Sequence, residues 1–220
     1  IAFSTGEFFK LSTLKKNGIK VCVITLLEAL IASILVFILS FYILRLELSF
    51  SLVLAALAST TASASIVMTI RQTGSKGDFV NTLLQVVALD NVLGLFAYSI
   101  AISLAISAKS GSFNFVSVIS PIVFNLFVLL LGGLFGVFMK WLMPKNRSTD
   151  NRLIITIALL FTFCGICAIL DVSPLLGCMS MGTVYVNIAD DDKLFKQVNY
   201  FSPPILLVFF VRSGLNFKLD

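Results

Sequence analysis

The 220-residue chain contains no histidine, and only 12% of its residues are charged. Without imidazole there is neither a His-based metal site nor a histidine general base. A soluble domain carries about a quarter of its residues charged, so this chain is not one. Hydrophobic residues make up 58%, there are 21 Phe, and the mean hydropathy is +1.03. These values identify an integral membrane protein. A signal-peptide pattern is also missing, because Ile1 to Lys20 lacks a long apolar core. So is the alternation that marks a half-buried strand. An open sheet edge cannot face lipid, and the expected class is an all-α, polytopic helical bundle.

Cysteine is scarce, with four residues: Cys22, Cys164, Cys167 and Cys178, all in apolar segments. Cys164 and Cys167 have the spacing of half a metal site, but no second pair and no histidine accompany them, and they read as small packing residues. No cofactor is expected. The net charge of +5 does not point to nucleic acid; in a membrane protein it reflects cytoplasmic loops.

Seven apolar segments run through the chain: Ile19–Leu44, Phe50–Ile70, Val80–Ala105, Phe115–Leu142, Leu153–Leu170, Pro174–Asn187 and Pro203–Phe217. About 20 helical residues span a bilayer core, so the first five are long enough and the last two are short. Ser173-Pro174 and Ser202-Pro203 each place a capping hydroxyl before a proline, a helix-start signal. If the N-terminal stretch is cytoplasmic and each segment crosses once, Lys10, Lys15, Lys16, Lys20, Arg71, Lys76, Lys140, Lys145, Arg147, Arg152, Lys193 and Lys196 fall inside. Arg45, Lys109 and Lys218 fall outside. This asymmetry agrees with the positive-inside rule. The acidic run Asp190-Asp191-Asp192 also falls inside and reads as a solvated loop or helix start.

Three charges lie within apolar segments: Glu28, Asp90 and Arg212. A charge at membrane depth costs at least about 2.5 kcal/mol and therefore tends to face a cavity or a partner. Asp90 stands near the centre of its segment with no charged residue within ten positions on either side, and Asn91 follows it. A carboxyl in a half-dry cavity is shifted toward its protonated form, and its carboxylate is a hard oxygen ligand for a small metal cation. One group can hold a proton or a cation, which is the minimum machinery of cation/proton exchange. The bland alternative is a structural acid paired to a neighbouring helix. Glu28, with Thr25 one turn earlier, could line a polar seam or make helix–helix hydrogen bonds. Arg212 lies near a segment end and reads as snorkelling to the interface.

The stretch STTASAS, Ser59 to Ser65, puts seven small or hydroxylated residues at membrane depth. It is either a packing surface or a helix interrupted at the midplane, whose free carbonyls and hydroxyls would ligate a cation. Gly132 and Gly136 have GxxxG spacing, read as packing. An intramembrane aspartyl protease would need Asp90 and Asp171 to face each other; Asp171 sits at a segment end, and no GxGD sequence is present.

In order along the chain, STTASASIVMTIRQTG, LLQVVALDNVLGLF, SPLLGCMSMGTVYVN and SPPILLVFFVRSGLNFKLD resemble the bacterial monovalent cation/proton antiporter superfamily, the Na⁺/H⁺ exchanger-like transporters. The opening FSTGEFFKLSTLKKNGIK is similar to that family's loop ahead of a membrane helix. The resemblance implies about a dozen membrane helices in a dimerisation domain and a transport core, a homodimer in the cell membrane, and Na⁺ or K⁺ exchanged for H⁺ by an elevator motion. It makes Ser59–Ser65 the first broken helix, with Thr61 at the family's usual threonine. Asp90 and Asn91 become the acidic pair, and Thr60, Thr61, Ser63 and Asn91 are neutral ligands beside Asp90.

Two departures accompany it. The electrogenic branch carries Asp-Asp at the pair and the electroneutral branch Asn-Asp; this chain has Asp90-Asn91, and Asn91 cannot release a proton at neutral pH. A transport-inactive or cation-sensing relative is the alternative this raises. The chain is also expected to be part of a longer exchanger. On the resemblance, helices before Ile1 and the later core helix that usually carries a basic partner for the first acid are expected to lie outside it. Arg212 stands at a usually uncharged position and is not assigned that role.

Overall fold

The structure is a computed structural model that describes residues 2–61, 63–110, 115–143, 149–189 and 191–215. Every regular element among these is helical. In hydrocarbon each backbone N–H and C=O must be satisfied within the segment, and continuous apolar runs reach this only as helices. A single turn, α1 (Ala2–Thr5), and a 3₁₀ turn, Gly6–Phe9, precede α2 (Leu11–Ile38), which continues as a π turn over Leu39–Ile43. Then follow α3 (Leu48–Ala58), α4 (Ser63–Thr73), α5 (Asp78–Ser110), α6 (Phe115–Leu142), α7 (Thr149–Ile169), α8 (Leu175–Ala189) and α9 (Asp192–Leu215).

Among the described residues five helical stretches are long and apolar enough to cross a membrane: Gly18–Ile43, Asp78–Ile106, Ile119–Leu142, Asp150–Ile169 and Lys193–Leu215. With their exposed apolar faces they make this an all-α, multi-pass membrane protein. Among the described side chains of α2 only the stripe Val21, Thr25 and Ala29 is buried, while Val23, Leu26, Leu27, Leu30 and Ile31 stand exposed. Such a surface belongs in lipid.

One expectation is corrected and two open readings are decided. Of the two readings of Ser59–Ser65 the interrupted helix is the one observed: Phe50–Ile70 falls on two helices of 11 residues each, α3 and α4. The hydroxyls cause the interruption: Ser59 Oγ donates to the Ala56 carbonyl at 2.7 Å and Thr60 Oγ1 to the Leu57 carbonyl at 3.1 Å. These are the last carbonyls of α3, and side chains that bond them compete with the helix. The correction concerns Ser202-Pro203, which does not start a helix. Pro203 and Pro204 lie inside the 24-residue α9, a full-length span. The prolines remove the donors for the Asn199 and Tyr200 carbonyls, a loss that membrane helices tolerate, and the Ser202 hydroxyl adds a bond to the Val198 carbonyl at 2.7 Å in the preceding turn. The acidic run does mark a helix start: Asp192 is the first residue of α9 and Asp191 Oδ1 accepts from Lys193 N at 3.2 Å, while Asp190 lies outside the described residues. Asp191 also pairs with Arg152 and accepts from the Tyr185 hydroxyl at 3.0 Å.

Ser173 does stand at a helix start, its hydroxyl accepting from Leu175 N at 3.4 Å. The short α8 is the core of the bundle, with Leu176, Met179, Met181, Tyr185 and Val186 all buried. It can approach α6 closely because Gly132 lies against the Gly177 backbone and Gly136 against the Met181 carbonyl. The GxxxG spacing is thus a packing device. Phe3, Phe163 and Phe195 close the same core from α1, α7 and α9.

Candidate functional site

The broken helix sets the site. Between α3 and α4 the helical hydrogen-bond ladder stops, which leaves backbone groups without helical partners. One of them, the Thr61 N–H, donates to Asp90 Oδ2 on α5 at 3.1 Å. Thr61 precedes α4 by two residues, so the carboxylate also faces the positive end of that helix.

Asp90 is fully buried, and so is Ala88, with Val86 and Val87 nearly so. Its second oxygen, Oδ1, has no hydrogen-bond partner, and neither has the buried Thr61 Oγ1. No ion pair to Asp90 forms among the described residues. A buried carboxylate oxygen without a partner is costly unless something occupies it. A proton or a small cation satisfies that requirement.

The other residues of the expected set are placed differently. Asn91 turns along its own helix, its amide donating to the Val87 carbonyl at 3.1 Å. Thr60 is exposed, its hydroxyl used on Leu57. Ser63 begins α4 half-buried, its N–H bonded to the Thr61 carbonyl at 2.9 Å. Asp90 and Thr61 therefore touch directly, while Asn91, Thr60 and Ser63 surround them in sequence without a bond to the carboxylate.

Thr25 and Glu28 do not form one polar seam. Thr25 is buried and bonds the Val21 carbonyl at 2.8 Å, whereas Glu28 lies on the neighbouring stripe and opens into a cavity beside α5. Arg212 is exposed in the last turn of α9. Asp171 is exposed in the turn after α7, with φ of +54°, while Asp90 is buried. Cys164, Cys167 and Cys178 are free thiols, and no metal-ligand cluster occurs among the described residues.

One residue that supports the site was not singled out in the sequence. A Cβ on Gly94 would stand 1.7 Å from Thr60 Cγ2. Gly94 lies one turn beyond Asp90 and lets the broken segment press against α5. Its signal was a glycine inside a helix, where it costs about 1 kcal/mol relative to alanine and marks a close approach.

The family model for the sodium/hydrogen exchanger transmembrane region matches residues 1–220. No curated protein and no solved structure matches the chain.

Proposed function

The chain belongs to the sodium/hydrogen exchanger family, and from that premise we propose that it exchanges Na⁺ or K⁺ for H⁺ with Asp90 as the group that binds proton and cation in turn. The family is one of transporters, not enzymes, and it implies cation/proton exchange. The observation that carries the assignment to Asp90 is its pair of oxygens: one is held by the Thr61 N–H, the other is buried and unpartnered.

The held oxygen fixes the orientation of the carboxylate. The free oxygen accepts a proton, or joins the Thr61 hydroxyl in holding a cation. Loss of the proton creates the charge that attracts the cation, and cation release restores the need for a proton. Thr60, Ser63 and Asn91 complete the ligand set in other positions of the transport cycle, when the break and α5 shift relative to each other. With one carboxylate at the pair, one proton moves per cation. The protein works as a homodimer in the cell membrane, with its N-terminal stretch cytoplasmic, as the distribution of Lys and Arg suggests.

A second reading, a relative that binds a cation without exchanging it, is favoured by Asn91, whose amide is engaged with its own helix. One experiment separates the two. Sealed vesicles containing the full-length protein are given a pH gradient, then Na⁺ or K⁺, and lumenal pH is followed. Exchange by wild type that is lost in Asp90→Asn, with the variant still inserted, supports the antiporter. Silence in wild type with activity in Asn91→Asp supports the second reading, and normal exchange by Asp90→Asn makes Asp90 structural.

A further inference from the structure

A cavity of about 530 Å³ lies between α2 and α5, lined by Lys20, Ile24 and Glu28 from one helix and by Asp78, Thr82 and Val86 from the other. Each trio is spaced by four residues, so each forms a stripe along its helix. Lys20 and Asp78 lie at the N-terminal ends of their two spans, Gly18–Ile43 and Asp78–Ile106. Both ends open into one cavity, so the helices run in the same direction along it. The stripes extend eight residues inward, about 12 Å at 1.5 Å per residue.

Glu28 stands at the inner end. It is ten residues from the start of an apolar span, a depth at which a carboxylate is maintained against a cost unless a cavity or partner receives it. Its side chain is exposed to the cavity. Val86 lies at the inner end of the other stripe, and Asp90 follows it by one turn on the same face of α5. The cavity lining ends at Val86, and Asp90 lies one turn deeper and fully buried. A carboxylate in a partly dry cavity attracts a mobile positive charge.

We propose that Glu28 is a way-station for the proton and the cation between Asp90 and the membrane face that carries Lys20 and Asp78. This rests on the exchange reading of Asp90. A cation from that face is drawn past Asp78 to Glu28 and moves on to Asp90. In the return direction the proton on Asp90 passes through water in the cavity to the Glu28 carboxylate and then to solvent, which leaves Glu28 ionised for the next cation. Lys20 at the mouth limits the approach of cations and tempers the acidity of the path.

The test compares wild type, Glu28→Gln and Glu28→Asp in sealed vesicles, with Na⁺ and K⁺ and over a range of pH. Glu28→Gln is expected to raise the apparent KM for the cation about tenfold, equivalent to about 1.4 kcal/mol. It should also displace the pH–rate profile, while Glu28→Asp restores most of both. A Glu28→Gln variant with the KM and pH profile of an exchanging wild type overturns this proposal alone; a wild type that does not exchange overturns the exchange reading and this with it. Should Glu28→Gln fail to insert, Glu28→Cys in a Cys22→Ser background is treated with a membrane-impermeant cationic thiol reagent. Labelling from one side only, above the Cys22→Ser background, supports the path, and no labelling from either side overturns it.

Discussion

The Thr61 backbone N–H donates to Asp90 Oδ2 at 3.1 Å, joining positions 29 residues apart. A helix that ran unbroken from α3 into α4 would use that N–H on its own ladder. The break therefore does two things at once: it stops a membrane helix, and it turns a freed donor onto the one acid in the middle of α5. A carboxylate held this way has one oxygen bonded and the other buried without a partner.

Asn91→Asp is expected to change the stoichiometry. The wild-type side chain donates to the Val87 carbonyl at 3.1 Å, and an ionised Asp cannot donate that bond. It adds instead a second titratable group beside Asp90, pointing about 100° around the helix, and the two titrate as a coupled pair. Exchange by wild type should be insensitive to an imposed membrane potential, and exchange by the variant should respond to it. A voltage-dependent wild type contradicts the one-proton, one-cation scheme.

Gly94→Ala should slow exchange through the broken helix. The new methyl would overlap Thr60 Cγ2, and overpacking of this kind costs about 1–3 kcal/mol. Thr60→Ser removes that methyl while keeping the hydroxyl. The double variant is expected to recover both rate and melting temperature, a coupling that two independent losses would not show.

Two glycine substitutions should act in opposite directions. A Cβ on Gly132 meets the Gly177 carbonyl at 2.1 Å, and backbone cannot step aside, whereas a Cβ on Gly165 meets nothing within 4 Å. Gly132→Ala is expected to destabilise the protein by about 1–3 kcal/mol through separation of α6 from α8. Gly165→Ala should stabilise it by about 0.5–1 kcal/mol, since alanine is the better helix residue. Thermal unfolding in one detergent compares them, and equal shifts would contradict the packing described.

Arg152→Met tests the link between α7 and the segment joining α8 to α9. Arg152 pairs with Asp191 and donates to the Tyr185 hydroxyl at 3.2 Å, and the two charged side chains are only 16% and 13% exposed. Removal of the cation strands a largely buried carboxylate. The expected loss is about 2 kcal/mol, between the values for exposed and fully buried pairs. Asp191→Asn in the Arg152→Met background should recover part of it in the same melting assay.

Composition and continuous apolar runs were enough to establish a multi-pass helical membrane protein, because hydrocarbon leaves the backbone no other arrangement for such segments. The order of the motifs was enough to point to the exchanger family. Asp90 stood out for a related reason: a lone acid in an apolar run has a cost that the sequence displays openly. The run Ser59–Ser65 was legible as either a packing surface or a break, since small hydroxylated residues serve both.

Tertiary structure decided the rest. That choice depended on where the hydroxyls of Ser59 and Thr60 found acceptors, and on Gly94 lying opposite. Pro203 and Pro204 carry a strong local signal for a helix start, yet α9 runs through them from Asp192 to Leu215. Asp191 looks like a solvated charge until Arg152 and Tyr185 are brought to it from α7 and α8. Glu28 and Val86 lie 58 positions apart in the chain, and only the alignment of α2 with α5 makes them line one cavity. The sequence by itself determined which residues could not rest in lipid uncompensated. The fold determined what compensates each one, because hydrogen bonds, ion pairs and cavities depend on distances between helices that no local pattern contains.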